Sequence, residues 1–389
     1  MRIAYVCADG GIAVFGEKGA SVHITAMAQA FCATGHDLRL ICARRGPGSA
    51  AFPVEEVTAD HPGHGGREGK ERGLIATAAA IEDRLVALHR SWPFDMIYER
   101  YSLWSAAGVR AARRLGVHVV VEVNAPLVTE QAEFRALVLA DEARRIEAEV
   151  FRSADALAVV SDELVAYAKA RGAAPDRVHV IRNAVDTARF HPQVQPAQVP
   201  GIPDGAFVIG FSGSLKAWHG LDTLLPAFRA LREQLPSAQL LVVGEGPRKP
   251  WVEGYATGAG LEGAVTLTGW VAHDALPALI ARMDVATAPY PLAEGHYFSP
   301  LKLYEYLAVG RPIVASRIGQ TAQVLQGTDA ALLVLPGDPV ALAEALLRLA
   351  RDPTLAERLA RNAAIEGRRH DWTDNAKAVV RLARQGVPA

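Results

Sequence analysis

Along the chain, short runs of apolar and often β-branched residues alternate with longer stretches whose apolar positions recur every three or four residues. In the first half the short runs are Ile3–Cys7, Leu38–Cys42, Met96–Tyr98, Val117–Val123, Leu157–Val160 and Val178–Ile181. A Pro-rich stretch, HPQVQPAQVPGIPDG (His191–Gly205), interrupts the alternation, which restarts with Phe207–Phe211, Leu240–Val243, Val265–Leu267, Val285–Ala288, Ile313–Ala315 and Leu332–Leu335. Continuous apolar runs between helical segments predict parallel strands covered on both faces. The expected fold class is therefore α/β, with two doubly wound domains, 1–195 and 196–371, joined by the Pro-rich linker. Open parallel sheets bind ligands beyond the carboxyl ends of their strands. Two such domains facing each other would place a cleft between those ends. Three further helical segments close the chain: Val340–Arg351, Thr354–Arg368 and Trp372–Arg384.

Composition narrows this picture. A length of 389 residues with 50% hydrophobic content suits two domains. A formal net charge of −1 argues against a general affinity for nucleic acid or anionic membrane, so any phosphate must be bound locally. The three cysteines, Cys7, Cys32 and Cys42, have neither the spacing of a zinc site nor an even count, and read as free thiols in a reducing compartment. MRIAYVCADGG runs directly into a strand pattern without the features of a signal peptide. No apolar run approaches the roughly 20 residues of a membrane span. The expectation is a soluble cytoplasmic protein, with peripheral contact at a membrane face left open. The basic run RAARRLG (Arg110–Gly116) could meet anionic headgroups, but reads first as a solvated helix face. HPGHGGREGKERG (His61–Gly73) reads as a solvated loop, in which His61 and His64 lack a third metal ligand.

The candidate chemistry lies where glycines follow strands: Gly10-Gly11 after the first, SGSLKAWHG after Phe211, and GEGPRK after Val243. Backbone without Cβ atoms can approach a phosphate or sugar closely. The dinucleotide fingerprint G-x-G-x-x-G is absent from the first of these turns, which removes the main support for NAD. Lysines number only seven, and two of them, Lys216 and Lys302, fall just after strand ends.

Lys302 lies in SPLKLYEYLAVGRPIVAS (Ser299–Ser316), a pattern that predicts a helix capped at Ser299, with Pro300 in its first turn and Gly310 at its end, followed by a strand. A cation in the first turn opposes the helix dipole unless an anion compensates it. A diphosphate would do so. Glu305, three residues on, either pairs with Lys302 or accepts hydrogen bonds from vicinal hydroxyls, as acidic residues do for ribose. No Asp-x-Asp pair occurs, so phosphate charge falls to lysine, histidine, N–H groups and the helix dipole rather than to a divalent cation.

These residues resemble the retaining nucleotide-sugar glycosyltransferases of family 4. The resemblance runs over nearly the whole chain, through Gly10-Gly11, the Gly35-His36 turn, VSDEL (Val160–Leu164), VIRNAVDTARFHP (Val180–Pro192), GSLKAWHGLDTLL (Gly213–Leu225), VGEGP (Val243–Pro247), the Ser299–Ser316 stretch and PGD (Pro336–Asp338). It implies the GT-B fold, two Rossmann-like domains facing across a cleft, with the acceptor on the first and the sugar nucleotide on the second. It implies donor contacts at Gly11, Gly213, Ser214, Lys216, Gly244, Val271, Ser299, Pro300, Leu301 and Glu305, with Glu305 on the ribose and Gly269 and Val271 at the base. It implies that the helix from Trp372 to the end at 389 crosses back onto the first domain.

The chain departs from the family pattern at several positions. Tyr297 stands where the first glutamate of a pair is expected, with Glu294 three residues earlier as a substitute. Ser214 and His219 stand where arginine and lysine are common, which shifts the cationic role to Lys216 and His219. At the end of the fourth first-half segment, Glu122 and Asn124 stand where a histidine is often found.

The activity implied is transfer of a hexosyl unit from a nucleoside diphosphate sugar to an acceptor hydroxyl of a glycan, lipid-linked saccharide or small-molecule glycoside, of the kind met in polysaccharide biosynthesis. Lys302, His219, Glu122 and Asn124 are the catalytic candidates, and no metal or other cofactor is expected. The alternatives are a sugar-nucleotide epimerase of the same fold and a non-catalytic nucleotide-sugar-binding protein. Base, sugar, acceptor and oligomeric state are not specified by the sequence.

Overall fold

The computed structural model describes residues 1–59, 66–293 and 296–385. The chain divides into two compact units. The first comprises Met1–Arg182, Tyr297–Ser299 and the segment from Trp372 onward, and the second Asn183–His296 and Pro300–Asp371.

The first unit carries seven strands: β1 (Arg2–Cys7), β2 (Asp37–Cys42), β3 (Val54–Glu56), β4 (Met96–Arg100), β5 (His118–Val123), β6 (Ala156–Val159) and β7 (Val178–Val180). Its helices are α1 (Gly19–Ala33), α2 (Gly66–Ser91), α3 (Ala107–Leu115), α4 (Leu127–Phe134), α5 (Ala140–Ser153) and α6 (Asp162–Ala170). The sheet is parallel throughout, in the order β3-β2-β1-β4-β5-β6-β7. The second unit carries β8 (Val208–Ser212), β9 (Gln239–Val243), β10 (Val265–Leu267), β11 (Val285–Ala288), β12 (Ile313–Ser316) and β13 (Ala331–Val334). Its helices are α7 (Leu221–Gln234), α8 (Lys249–Gly258), α9 (Leu276–Ala281), α10 (Leu301–Val309), α11 (Gly319–Leu325), α12 (Pro339–Arg351) and α13 (Pro353–Gly367). Its six strands are also parallel, in the order β10-β9-β8-β11-β12-β13. Helix α14 (Trp372–Gln385) returns to the first unit, where it packs beside α1.

The apolar runs form strands because both faces of each sheet are covered, so outward and inward positions alike must be apolar. Val208, Ile209, Phe211 and Leu240–Val242 are buried on opposite faces of the second sheet, in separate side-chain clusters. All twelve apolar runs are strands to within a residue or two. Strand β3 is the one the pattern misses: three residues, two of them glutamates, paired only to β2 at the sheet edge.

Three expectations change. The Pro-rich stretch is not a free linker. Val199 and Ile202 are buried in the second unit's core, Ala197 N–H donates to the Ala278 carbonyl at 2.9 Å, and Phe190 is buried with them. The division therefore falls after Arg182 rather than at 195, and Val185 bridges to Asp371.

Residues 66–73 form the start of α2 rather than a loop. Glu71 is buried and accepts the N–H groups of Val138 and Leu139 at 3.1 and 2.8 Å, and Arg72 pairs with Glu68 one turn back. His61 and His64 lie outside the described residues. The basic run belongs to α3, where Arg110 forms a bidentate pair with Glu149 (2.7 Å on each side) and Arg114 reaches Glu82 at 2.9 Å. Partners on neighbouring helices thus offset this charge. Among the described residues no helix is long and apolar enough to cross a membrane.

Gly220 sits between the loop after β8 and helix α7 with φ +76°, and a Cβ placed there would lie 1.6 Å from the Pro289 carbonyl oxygen. That contact and the one to Tyr290 N at 3.3 Å are with backbone, so neither can yield cheaply. Gly220→Ala is expected to cost at least about 2 kcal/mol, measured as a loss of unfolding free energy in a denaturant titration.

Candidate functional site

In the second sheet the strand order reverses between β8 and β11, the place where open α/β sheets bind ligands. The chain leaves β8 through Gly213 (φ +134°) and leaves β9 through Gly244 (φ +139°). A Cβ on Gly244 would lie 2.1 Å from the Gly213 carbonyl oxygen, so the two turns are stacked more closely than any side chain permits. Gly244 N–H donates to the Gly269 carbonyl at 3.0 Å, which ties in the turn after β10. Tyr306 of α10 accepts the Ser212 N–H at 2.7 Å and lies 3.0 Å from the Ser212 hydroxyl, which fixes α10 against the end of β8.

That attachment aims Lys302 inward. Helix α10 begins at Leu301, with Pro300 and not Ser299 at the N-cap and no side-chain cap. Pro300 is held at φ −76°, ψ 117°, an extended conformation that already leaves the helix. Gly310 ends the helix at φ 72°, as the sequence indicates. Lys302 is 7% exposed rather than snorkelling. Its ammonium lies 3.8 Å from the Phe211 ring centroid and 5.8 Å from that of Tyr290, and it has no hydrogen-bond partner among the described residues. A Cβ on Gly213 would sit 2.8 Å from Nζ. Burial pulls the lysine pKa down to about 7, with Glu305 only partly opposing it.

His219 is the second half of this arrangement. Its Nδ1–H donates to the Ser214 carbonyl, which can only accept, so the neutral ring presents Nε2 as a bare acceptor. Burial and then the Lys302 charge lower its pKa to about 3, with the Ser214 bond opposing and Lys216 adding to the fall. In the unliganded chain His219 is therefore neutral, contrary to the cationic role expected of it. Lys216 turns its ammonium over the Trp218 ring at 4.7 Å.

Glu305 is buried, and it bonds His273 Nε2 at 3.0 Å instead of pairing with Lys302. His273 thereby links the loop that carries Gly269 and the half-buried Val271 to α10. Ser299 belongs with Tyr297 and Phe298 in the first unit. Tyr297 packs on that unit's core and donates its hydroxyl to Glu130 of α4. Glu294 lies outside the described residues.

The first-unit candidates do a different job. Glu122, near the end of β5, is 5% exposed and accepts from His23 at 2.5 Å, Tyr98 at 2.7 Å, Asn124 at 2.9 Å and Arg100 at 3.2 Å. A carboxylate offers about four lone-pair sites, and all are occupied. Burial alone would raise its pKa, but His23 and Arg100 beside it, with Tyr98, hold it down to about 2. Glu122 and the Asn124 amide that it engages therefore form a structural junction rather than a general base. His23 carries the junction to α14, its ring meeting Trp372 edge-on at 4.7 Å. Gly11 N–H donates to Asp9 at 2.7 Å and its carbonyl accepts from Lys18 at 2.8 Å, so that turn is closed on itself.

Tyr290, Phe211 and His273 did not emerge from the sequence. Tyr290 lies two residues beyond a predicted strand end and could have been marked by position, whereas His273 carries no local signal. Among the described residues no group of three or more His, Cys, Asp or Glu could hold a metal ion.

Two family models match the chain: Glycosyl transferase 4-like domain over residues 18–184 and Glycosyl transferases group 1 over residues 206–352. The chain is 29% identical over 296 residues to a 2-deoxystreptamine glucosyltransferase of Streptomyces kanamyceticus, covering 72% of this chain and 74% of that one. It is 28% identical over 347 residues to a D-inositol 3-phosphate glycosyltransferase of Stackebrandtia nassauensis, covering 84% and 77%. Solved structures with the same fold include Anabaena HepE in complex with UDP (TM-score 0.73, 17% identity, 100% of both chains) and a sucrose-phosphate synthase from Thermosynechococcus elongatus (TM-score 0.74, 20% identity, 99% and 98%). With both sheets wound as these observations require and both models matched in order, the chain belongs to the group 1 glycosyltransferases of GT-B fold.

Proposed function

We propose that this glycosyltransferase takes its sugar from a nucleoside diphosphate sugar, binds the diphosphate at the carboxyl end of β8, and delivers the sugar to an acceptor hydroxyl with retention and without a divalent cation. The observation that carries this reading is the Lys302 ammonium: buried, unpartnered among the described residues, and held over a glycine turn at the open start of α10. A buried cation without a counterion is costly. A diphosphate supplies the missing charge, and the free N–H groups at the helix start add donors to it.

In this reading the bond from the anomeric carbon to the diphosphate oxygen breaks as the acceptor oxygen attacks the same face. The hydroxyl proton passes to the departing diphosphate. Lys302 stabilises the charge that develops there. His219 Nε2 contributes as a donor once the incoming anion has raised its proton affinity. Glu305, steadied by His273, takes the ribose hydroxyls. The absence of an Asp-x-Asp pair supports charge neutralisation by these groups. HepE, solved with UDP, makes UDP-sugars the first donors to test. The relatives named for 2-deoxystreptamine and D-inositol 3-phosphate make polyhydroxylated rings the first acceptors.

The direct test is diphosphate release from a panel of UDP-, GDP- and ADP-sugars with and without such acceptors. Acceptor-dependent release supports transfer, and an inverted anomeric centre by NMR would overturn retention. Lys302→Ala is expected to lower turnover by about one to three orders of magnitude, and near-normal turnover would remove the phosphate role. A chelator should leave the rate unchanged.

The titration of Lys302 adds two signed expectations. Only the charged form attracts a diphosphate, and its folded pKa is about 7. Donor affinity measured by calorimetry should lose up to about a further tenfold per unit above that pH. A Lys302→Met chain should lose this dependence.

Stability runs the other way, because a lysine with a depressed folded pKa destabilises most where both states are charged. Lys302→Met should therefore raise the unfolding temperature of the unliganded chain at pH 6, and the gain should vanish as the pH approaches the unfolded lysine value of about 10.4. A lower unfolding temperature at pH 6 would contradict the buried-charge account.

A further inference from the structure

A groove of about 730 Å³ lies in the first unit where α1 ends, lined by Thr34 and His36 on one side and by Lys377, Arg381 and Arg384 of α14 on the other. It is at the start of β2, the edge of the sheet opposite the carboxyl ends of the strands. The three cations are spaced four and then three residues apart, which places them on one helix face. Among the described residues no carboxylate lines the groove.

Composition does not account for this, because Lys and Arg together number 41 against 42 Asp and Glu. Elsewhere in the unit Arg84, Arg110, Arg114 and Arg145 each reach a carboxylate. Lys377 pairs with Asp374 at 2.9 Å, but Arg381 and Arg384 have no ion pair among the described residues. The pKa of His36 is lowered by burial first, then by the ammonium of Met1 and then by Arg384, so the charge of α14 is felt across the groove.

Helix ends attract cations, and α1 and α14 both end here. Each end carries about half a negative charge, felt within its last turn. That accounts for Arg384 and does not reach Lys377, two turns earlier. Three cations against one carboxylate and two helix ends leave the groove positive.

We propose that this groove is a second anion site of the protein, taking a phosphoryl or diphosphoryl group between the two arginines, and that the bound anion ties the last turns of α14 to the end of α1. Guanidinium forks match phosphate oxygens in pairs, and the volume admits a diphosphate. The same chemistry is offered by a soluble phosphate ester and by a phosphorylated lipid headgroup.

The test uses the full chain carrying Lys302→Met, so that the anion site proposed on α10 does not contribute. Inorganic pyrophosphate is titrated by calorimetry at fixed ionic strength. One saturable site with a submillimolar Kd is expected, weakened at least tenfold by Arg381→Ala with Arg384→Ala and restored in part by lysine at both positions. Both arginines are exposed, and circular dichroism of each variant confirms that it is folded. Absence of saturable binding below 10 mM, on the order of 100 times the expected Kd, or unchanged binding in the double-alanine variant, overturns the proposal.

Sedimentation with phosphatidylcholine vesicles, with and without phosphatidic acid, then separates the sources. Acid-dependent binding that pyrophosphate displaces assigns the site to headgroups, and pyrophosphate binding without vesicle binding assigns it to soluble phosphate. Vesicle binding that pyrophosphate leaves untouched, with no pyrophosphate isotherm, refutes an anion site in the groove. Turnover of the Arg381/Arg384 variants in the otherwise unaltered chain should match the parent, since neither residue lies at the carboxyl edge of a strand.

Discussion

A positive charge kept from water over an aromatic face is the interaction on which the arrangement of the second unit depends. The Lys302 ammonium rests against Phe211 and above the Gly213 turn without a hydrogen-bond acceptor among the described residues. Such a site exists only if the turns beneath it have no side chains, which explains why Gly213 and Gly244 are stacked as they are. It also requires a rigid helix start, and Tyr306 supplies this by gripping Ser212 one turn further along α10. Desolvating a lysine opposes folding by several kcal/mol at neutral pH, by the scale of about 1.4 kcal/mol per pKa unit. The packed aromatic and aliphatic core around α10, including Leu303, Tyr304 and Leu307, is what sustains that strain.

The first unit treats a buried charge in the opposite way. Glu122 is as inaccessible as Lys302, yet every lone pair of its carboxylate has a donor, from α1, β4 and its own strand. A fully paired buried charge specifies an arrangement of elements, here α1 against the central strands with Trp372 of α14 beside His23. An unpaired one specifies a ligand. The same contrast separates Arg110 and Arg114, matched to carboxylates on adjacent helices, from Arg381 and Arg384, which are not.

The strands were legible because a sheet covered on both faces leaves no polar positions to confuse the pattern. β3 was not, since an edge strand of three residues needs no apolar continuity. Gly66–Gly73 looked like a loop because glycines and charges dominate it. It is helical because Glu71 caps the backbone of Val138 and Leu139, partners 67 and 68 positions away. The Pro-rich stretch looked like a linker and is packed, because Val199 and Ile202 find a core that their neighbours in sequence do not announce. Ser299 has the chemistry of a cap, but the extended backbone at Pro300 moves the helix start one position on.

The sequence by itself determined the two parallel sheets, the glycine turns at their strand ends, and the presence of a lysine and a glutamate one turn apart where a phosphate and a ribose could be held. These features follow from local periodicity and from backbone sterics, which adjacent residues suffice to express. Only the tertiary structure decided what those side chains meet: that Glu305 bonds His273 rather than Lys302, that Glu122 is saturated, that His219 is neutral, and that Tyr297 turns to Glu130. Each of these depends on burial and on partners at least 22 residues away for all but His219 and Asn124. Charge state and hydrogen-bond occupancy are properties of the surrounding atoms, not of the residue that carries them.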